Sequence, residues 1–304
     1  MRPRYLVMLV ALSAIWGSSF MWIKIGVREL SPATLVLGRV GVGALTLVPV
    51  VLIALGRRRA LAELRRYWWP LVITGALNVA LPFWLLSWGE TRIDSGVAAI
   101  IQAAAPIFLA GLALLFVPAE RVTGWRLVGL LVGLAGVGLL VGVQRGGDVL
   151  AAVAVALAAL CYAGGILYAG RSLSGVEPML TALGSLLAAT FLVLPGGIAQ
   201  APSSMPSRET IVAVLVLGVV CSAIAYLLYY GILASAGASR AILVTYLVPA
   251  AAVFYGALFL SEPVTAPALG GLALILGGVA LGTGAVSPRA RVRAAVPAPR
   301  RDAG

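Results

Sequence analysis

Ten long apolar runs restrict what this 304-residue sequence can fold into. They lie at residues 5–27, 32–55, 67–88, 95–117, 124–143, 149–170, 178–198, 210–233, 239–260 and 263–286. An α-helix needs about 20 apolar residues to cross the hydrocarbon core of a bilayer. Only 11% of the residues are charged, whereas a water-soluble domain carries about 25%. We therefore predict an all-α polytopic membrane protein, with the lipid bilayer around ten transmembrane helices, numbered here as predicted helices 1 to 10.

Arginines in the connections indicate the orientation of these helices. If the N-terminus is cytoplasmic, sixteen arginines fall on the cytoplasmic side and four on the opposite side. This bias predicts that both termini are cytoplasmic, in agreement with an even number of helices. The net charge of +12 is then an orientation signal, and we expect no nucleic acid as a partner. Residues 287–304, rich in Pro, Ala and Arg, are predicted to form a disordered basic cytoplasmic tail.

The two halves of the sequence match at a nearly constant offset. Three distinctive pairs lie 142 or 143 residues apart: Gly75 with Gly218, Pro106 with Pro249, and Glu120 with Glu262. We therefore predict a first repeat over residues 1–145 and a second over 146–286. Each repeat contains five predicted helices, and because five is odd the second must lie upside down relative to the first. Inverted repeats recur in secondary transporters, which bind substrate between the repeats.

The sequence resembles the drug/metabolite transporter superfamily, of the EamA type, over residues 5–286. The matching stretches are IWGSSFMWIKIG (15–26), SPATLVLGRVGVGALTLVPV (31–50), LLSWGETRIDSGVAAIIQAAAPIF (85–108), SRAILVTYLVPAAAVF (239–254) and LSEPVTAPALGGLALILGGVALG (260–282). The resemblance implies two inverted five-helix repeats and a central cavity lined by predicted helices 1, 3, 4, 6, 8 and 9. It also implies export or exchange of amino acids and other small metabolites.

Our leading hypothesis is a secondary transporter for a small, amino acid-like metabolite, working by alternating access. The alternatives are a small-multidrug-type exporter of hydrophobic cations and an intramembrane enzyme. Membrane hydrolases commonly use His or paired Asp, but the chain has no His, and both Asp94 and Asp148 lie outside the apolar runs. The drug-type exporter needs a carboxylate deep in predicted helix 1, where this chain has Lys24.

We expect no cofactor and no metal ion, because Cys161 and Cys221 lie in apolar runs that suit small buried residues. The chain is expected to act as a monomer or homodimer. Its Ala-, Gly-, Val- and Arg-rich composition suggests a GC-rich bacterial genome, and therefore the cytoplasmic membrane.

Two prolines mark the first candidate site. Proline removes one helical hydrogen bond and displaces the carbonyl four residues earlier. For Pro106 and Pro249 those carbonyls belong to Gln102 and Thr245, which are polar, repeat-related and near mid-membrane. We predict that the prolines are hinges and that Gln102 and Thr245 bind substrate, although a packed kink is the alternative.

Further polar and aromatic residues complete the predicted substrate site. Asn78 lies in the middle of predicted helix 3, where an amide either joins helices or contacts a ligand. Trp16, Tyr162 and Tyr246 are candidate cavity walls, although single aromatic residues more often serve packing or interface anchoring.

Lys24 and Arg39 are the two charges inside apolar runs. Lys24 is close enough to its helix end to extend its ammonium group to the surface. Arg39 is deeper, which marks it as functional by default. We predict that it pairs with Glu90 or meets a substrate carboxylate, with the pairing favoured.

The predicted orientation is testable with single-cysteine variants at Arg57 and Ser204, made after replacing Cys161 and Cys221. In whole cells, a membrane-impermeant thiol reagent should label the cysteine at position 204 and leave the one at position 57 unlabelled until the cells are lysed. The reverse labelling pattern would overturn the orientation.

Overall fold

A computed structural model describes residues 3–116, 124–143, 147–236 and 243–282, and over these residues all regular secondary structure is helical. The α-helices are α1 (Pro3–Gly26), α2 (Pro32–Leu55), α3 (Arg57–Arg66), α4 (Trp68–Gly75), α5 (Leu81–Glu90), α6 (Ser95–Gln102), α7 (Ala105–Phe116), α8 (Trp125–Gly142), α9 (Gly147–Ser172), α10 (Pro178–Ala199), α11 (Arg208–Leu215), α12 (Ala225–Ala236), α13 (Val244–Leu260) and α14 (Ala266–Gly282). Two π-helices, Ala76–Ala80 and Val216–Ile224, join α4 to α5 and α11 to α12.

The helices agree with a polytopic membrane protein. Seven continuous helical segments in the described residues are long and apolar enough to cross a membrane, and three shorter apolar helices are Leu127–Gly142, Val244–Leu260 and Ala266–Leu281. Every predicted apolar run therefore contains helix. The predicted tail at 287–304 and Glu120 lie outside the described residues.

Helix α3 was not predicted, because its ten residues are too few and too charged to form an apolar run. Five of them are arginines, and Arg59 pairs with Glu63 one turn later at 2.8 Å. One face is buried through Ala60, and the exposed pair Trp68 and Trp69 follows directly. A basic amphipathic helix beside tryptophans is typical of a membrane–water interface.

The two π-helices occupy corresponding places in the two halves, and each adjoins a glycine of the 143-residue repeat. A Cβ atom on Gly75 would lie 2.6 Å from the carbonyl oxygen of Ser185, and one on Gly218 would lie 2.6 Å from the Val42 side chain. These two contacts exchange halves, since 75 + 143 is 218 and 42 + 143 is 185. Only glycine allows helices to approach so closely at these positions.

The same exchange holds at the interface between α8 and α14. A Cβ atom on Gly136 would lie 2.9 Å from the side chain of Ile275, and one on Gly278 would lie 2.6 Å from the backbone nitrogen of Gly133. Here the offset is 142, since 136 + 142 is 278 and 133 + 142 is 275. These glycines therefore serve packing within the chain, as we predicted, whereas Cβ atoms on Gly138 and Gly142, of the same predicted stripe, would meet open space.

Several connections meet at one end of the bundle, which we call the capped end: residues 27–31, 91–94, 200–207 and 261–265. Glu29 accepts a hydrogen bond from the backbone nitrogen of Ser207 at 2.7 Å, and Lys24 donates to the carbonyl of Ile93 at 2.8 Å. Asp148, at the start of α9, interacts electrostatically with Asp94. Helix α1 therefore runs toward the capped end, and its counterpart α9 runs away from it.

The packing between α8 and α14 gives a matched pair of stability tests. Gly278→Ala should destabilise the purified protein by about 1–3 kcal/mol, because the added methyl group would overlap the backbone of α8. Gly277→Ala is the control, since its methyl group would meet nothing within 4 Å. Melting temperatures in detergent compare the two variants, and equal values would contradict this account of the interface.

Candidate functional site

The candidate site lies where two apolar clusters meet inside the bundle. One cluster includes Ile101, Ala104 and Ala158, and the other includes Val79, Phe83 and Ala223. Tyr162 of α9 packs against both. The tyrosine therefore marks the junction around which the polar groups of the interior are arranged.

Arg39 of α2 is the buried cation at this junction, with 5% of its surface exposed. Its Nε donates a hydrogen bond to Oγ of Ser222 at 3.2 Å, and its guanidinium carbon lies 3.7 Å from the centre of the Phe83 ring. It also interacts electrostatically with Tyr162 and Tyr226. Three helices and a π-helix thus place apolar, aromatic and hydroxyl groups around one positive charge.

Ser222 is held in place by a second hydrogen bond. Its hydroxyl donates to the carbonyl of Leu217 at 2.9 Å, five residues earlier, which is the spacing of the surrounding π-helix. Because the hydroxyl proton is used in this way, the oxygen is free to accept from Arg39. The π-helix therefore orients the serine that fixes the guanidinium.

The favoured pairing of Arg39 with Glu90 was wrong. Among the described residues, the one salt bridge within 4 Å joins Arg59 to Glu63, and neither carboxylate oxygen of the fully buried Glu90 has a hydrogen-bond partner. Glu90 lies seven residues after Phe83, or about 10 Å along a helix that rises about 1.5 Å per residue. The guanidinium is held beside Phe83 and Ser222 instead, short of that carboxylate.

Lys24 does not extend to the surface, contrary to our expectation. Its ammonium group donates hydrogen bonds to the carbonyls of Glu90 and Ile93, each at 2.8 Å. The end of α5 leaves carbonyls without helical partners, and the lysine satisfies two of them. Its charge also interacts with the Glu90 carboxyl group more strongly than the charge of Arg39 does.

The two predicted hinges differ. A turn at Ala103–Ala104 separates α6 from α7 just before Pro106, and the side-chain oxygen of Gln102, the last residue of α6, is buried without a partner. Pro249 instead lies inside the continuous helix α13. Since α6 packs against α13, Gln102 and Thr245 lie on neighbouring helices, and their substrate contacts stay a prediction.

Asn78 lies in the first π-helix and faces α9. Its side-chain oxygen is in contact with the position that a Cβ atom on Gly165 would occupy, and this oxygen has no hydrogen-bond partner in the described residues. The hydroxyls of Thr74 and Ser185, at the interface between α4 and α10, are also buried without partners. Such groups are costly in hydrocarbon unless a ligand or water meets them.

The predicted aromatic walls separate into two places. Tyr162 and Tyr246 both pack against the first apolar cluster. Trp16 lies between α1 and α12, where its ring centre is 5.5 Å from that of Tyr229. Tyr162 therefore joins the Arg39 group, whereas Trp16 packs near the part of α1 that precedes the junction.

Glu262 closes the capped end by joining the two halves. Its carboxylate accepts hydrogen bonds from the backbone nitrogen and the hydroxyl of Ser95, at 2.9 and 2.8 Å, and from the nitrogen of Gly96 at 3.1 Å. These donors are the first residues of α6, whose helix dipole favours a negative charge. Gly256 contacts the same carboxylate and leaves room for it.

Two acids at the capped end titrate away from their ordinary values. Burial raises the pKa of the Asp94 carboxyl group, and the charge of Glu262 adds to this effect. The backbone and side-chain hydrogen bonds from Ser207 lower the pKa of Glu29. Both effects arise outside the membrane-crossing helices.

Sequence reasoning missed the residues that hold these groups. Ser222 and Phe83 stand in apolar runs and look like packing residues, and no sequence pattern predicts a π-helix. The repeated Glu120 and Glu262 pair did signal the cap, but we used it only to align the halves. The partner of Glu262, Ser95, lies 167 residues away, so no spacing could have identified it.

Comparisons with known proteins agree on one family. The model of the EamA-like transporter family matches residues 3–142 and again 149–283. The chain is similar to the uncharacterized transporter YvbV of Bacillus subtilis, at 26% identity over 92% of each chain. It is also similar to the uncharacterized inner membrane transporter YedA of Escherichia coli K12, at 29% identity over 82% of this chain and 80% of that one.

Two further similarities concern an exporter and a fold. A probable terminal-alkyne amino-acid exporter of Streptantibioticus cattleyicolor is 28% identical over 90% of this chain and 91% of its own length. A solved crystal structure aligns with a TM-score of 0.67, at 20% identity, over 95% of this chain and all of that one. At that identity the structural match establishes the fold alone.

The cap formed by Glu262 should contribute measurably to stability. Glu262→Gln removes the charge that strengthens three hydrogen bonds, and hydrogen bonds to charged groups contribute about 1.5–3 kcal/mol each. We expect a melting temperature several degrees below that of the wild type in detergent. Glu29→Gln is the matched control, since Glu29 also accepts a backbone N–H bond but is exposed. An equal effect of the two substitutions would show that the cap is not special.

Proposed function

The chain belongs to the EamA-like transporter family, and from this premise we propose that it is a secondary transporter that exports or exchanges a small metabolite. The substrate binds inside the bundle between the two halves, and alternating access carries it across. An amino acid-like molecule is the favoured class, consistent with the name of one relative, a probable terminal-alkyne amino-acid exporter.

The observation that carries this proposal is the hydrogen bond between Arg39 and Ser222. Arg39 belongs to the first half and Ser222 to the second, and both are buried inside a bundle of apolar helices. A charged residue in the membrane is costly and is kept where it serves transport. Secondary transporters bind their substrates between their repeats, and this cation stands between the two halves.

The repeated contacts support alternating access. The pairs Gly75 with Ser185 and Gly218 with Val42 are related by an exchange of the two halves, and α1 and α9 run in opposite directions. Two inverted halves of similar structure can exchange conformations, and such an exchange opens the site first to one side and then to the other. This supports the division at residues 1–145 and 146–286.

Charge supports the orientation. The basic helix α3 adjoins the end of the bundle opposite the capped end. We therefore propose that the capped end faces outward, that both termini are cytoplasmic, and that the membrane is the bacterial cytoplasmic membrane. The interaction between Glu262 and Ser95 then closes the outward pathway in the conformation described here.

The buried charge of Arg39 also separates this proposal from the alternatives. An exporter of hydrophobic cations would place the positive charge of its substrate near the positive charge of Arg39 in a medium that screens it weakly. An enzyme would need an activated nucleophile or general base. A transporter needs neither, and it is the function that the family premise supports.

A reversible crosslink at the capped end tests the mechanism. Ser95→Cys with Glu262→Cys, in a chain whose Cys161 and Cys221 are replaced by alanine, brings two thiols to the positions of groups now 2.8 Å apart. A short cleavable bis-methanethiosulfonate reagent should abolish saturable counterflow of L-leucine or another transported metabolite in liposomes. Cleavage of the reagent should restore the flux.

The two single-cysteine variants, treated with the same reagent, are the controls and should keep their flux. Unchanged counterflow in the crosslinked protein would mean that the capped end does not open during transport. Absence of saturable counterflow for every compound in a screen of amino acids, organic acids, sugars and cationic drugs would contradict transport itself.

A further inference from the structure

We propose that Arg39 binds the carboxylate of the transported substrate, and that the chain therefore selects monocarboxylates with an apolar or aromatic body. This inference rests on the proposed transport function and adds the chemical class of the substrate. It assigns a binding role to helix α2, which the resemblance to the family does not place among the cavity-lining helices.

The charge balance of the interior leaves Arg39 without a counter-ion. Arg39 and Glu90 are the charged residues classed as buried among the described residues. Lys24 donates to the carbonyl of Glu90 itself at 2.8 Å, and its charge interacts with the Glu90 carboxyl group more strongly than that of Arg39. Lys24 and Glu90 therefore balance each other at the capped end, and the charge of Arg39 needs an anion from elsewhere.

The geometry of the guanidinium leaves one edge for that anion. The Nε donor is used by Ser222, and one face lies over Phe83. Among the described residues, the two terminal nitrogens of Arg39 have no hydrogen-bond partner. A guanidinium presents parallel N–H groups that match the two oxygens of a carboxylate. The structure thus fixes the orientation of the side chain and keeps its two terminal nitrogens for a ligand.

The neighbours of this edge indicate the rest of the ligand. The Tyr162 side chain lies within electrostatic range of Arg39, and its hydroxyl makes no hydrogen bond to any described residue. Tyr162 also packs against both apolar clusters. A hydroxyl donor beside the guanidinium suits an oxyanion, whereas the aromatic and aliphatic surroundings suit an apolar body.

A single positive charge favours a monocarboxylate over a phosphate. Burying an unpaired ion in a membrane is expensive, and pairing with one opposite charge removes most of that cost. One guanidinium neutralises one carboxylate, but a phosphate monoester carries about two negative charges at neutral pH. The complex of Arg39 with a monocarboxylate is neutral, so it can form inside the bilayer without a second cation.

The test compares matched acids and amides on the purified full-length chain. The probes are isovalerate with isovaleramide, phenylacetate with phenylacetamide, and L-leucine with L-leucinamide, measured by saturable counterflow in liposomes and by stabilisation against thermal unfolding. We expect at least one acid to bind and exchange, and its amide to bind at least tenfold more weakly. Phenyl phosphate should compete more weakly than phenylacetate. This arm needs no substitution, so it holds even where a variant fails to fold.

Three variants then assign the effect to Arg39. Arg39→Gln should raise the half-saturating concentration of the acid at least tenfold and leave the weak binding of the amide unchanged. Arg39→Lys should restore part of the affinity, since it keeps the charge and loses the paired donors. Arg92→Gln is the control, because Arg92 is an exposed arginine that also lies over an aromatic ring, that of Trp88 at 4.4 Å.

The outcomes separate this inference from the transport proposal. Saturable exchange of amides or cations that equals or exceeds that of the acids would overturn the carboxylate assignment and leave transport supported. An Arg39→Gln protein that folds and keeps the wild-type half-saturating concentration for the acid would overturn the role of Arg39. Absence of saturable exchange for every compound would overturn the proposed function, and the carboxylate inference would fall with it.

Discussion

The absence of water from the hydrocarbon core is the constraint on which this structure depends. Each buried polar group must find a partner within the protein, and most of them do so locally. The hydroxyls of Ser13 and Thr46 donate to carbonyls four residues earlier, and Lys24 satisfies two carbonyls at the end of α5. The unsatisfied groups, among them Asn78 and Gln102, stand out because the rest of the interior follows the rule.

Close backbone contact joins the two halves, because lipid supplies little hydrophobic drive between apolar helices. The glycines at positions 75, 136, 218 and 278 let neighbouring helices approach to distances that a Cβ atom would prevent. Each of these contacts recurs after an exchange of halves, so the same interface is built twice. A transporter that alternates between two conformations can use such paired interfaces to balance the free energies of its two states.

Polar contacts between the halves are fewer and more specialised. Glu262 caps α6 at one end of the bundle, and Arg39 meets Ser222 in the interior. The first contact satisfies a carboxylate with three donors, and the second leaves much of a guanidinium unused. This difference separates a structural cap from a binding group: a cap is complete by itself, whereas a binding group becomes complete only with its ligand.

The sequence by itself determined the fold class, the family and the depth of Arg39, because hydrophobic run length, repeated motifs and charge placement are local properties of the chain. It did not determine which residues hold Arg39: Glu90 was the expected partner, and Ser222, 183 residues away, is the observed one. Nor did it predict the π-helices, since a π-turn differs from an α-turn by one residue of hydrogen-bond register and leaves no hydropathy pattern. Tertiary packing decided both features, because long-range contacts depend on how helices dock and not on what each helix contains.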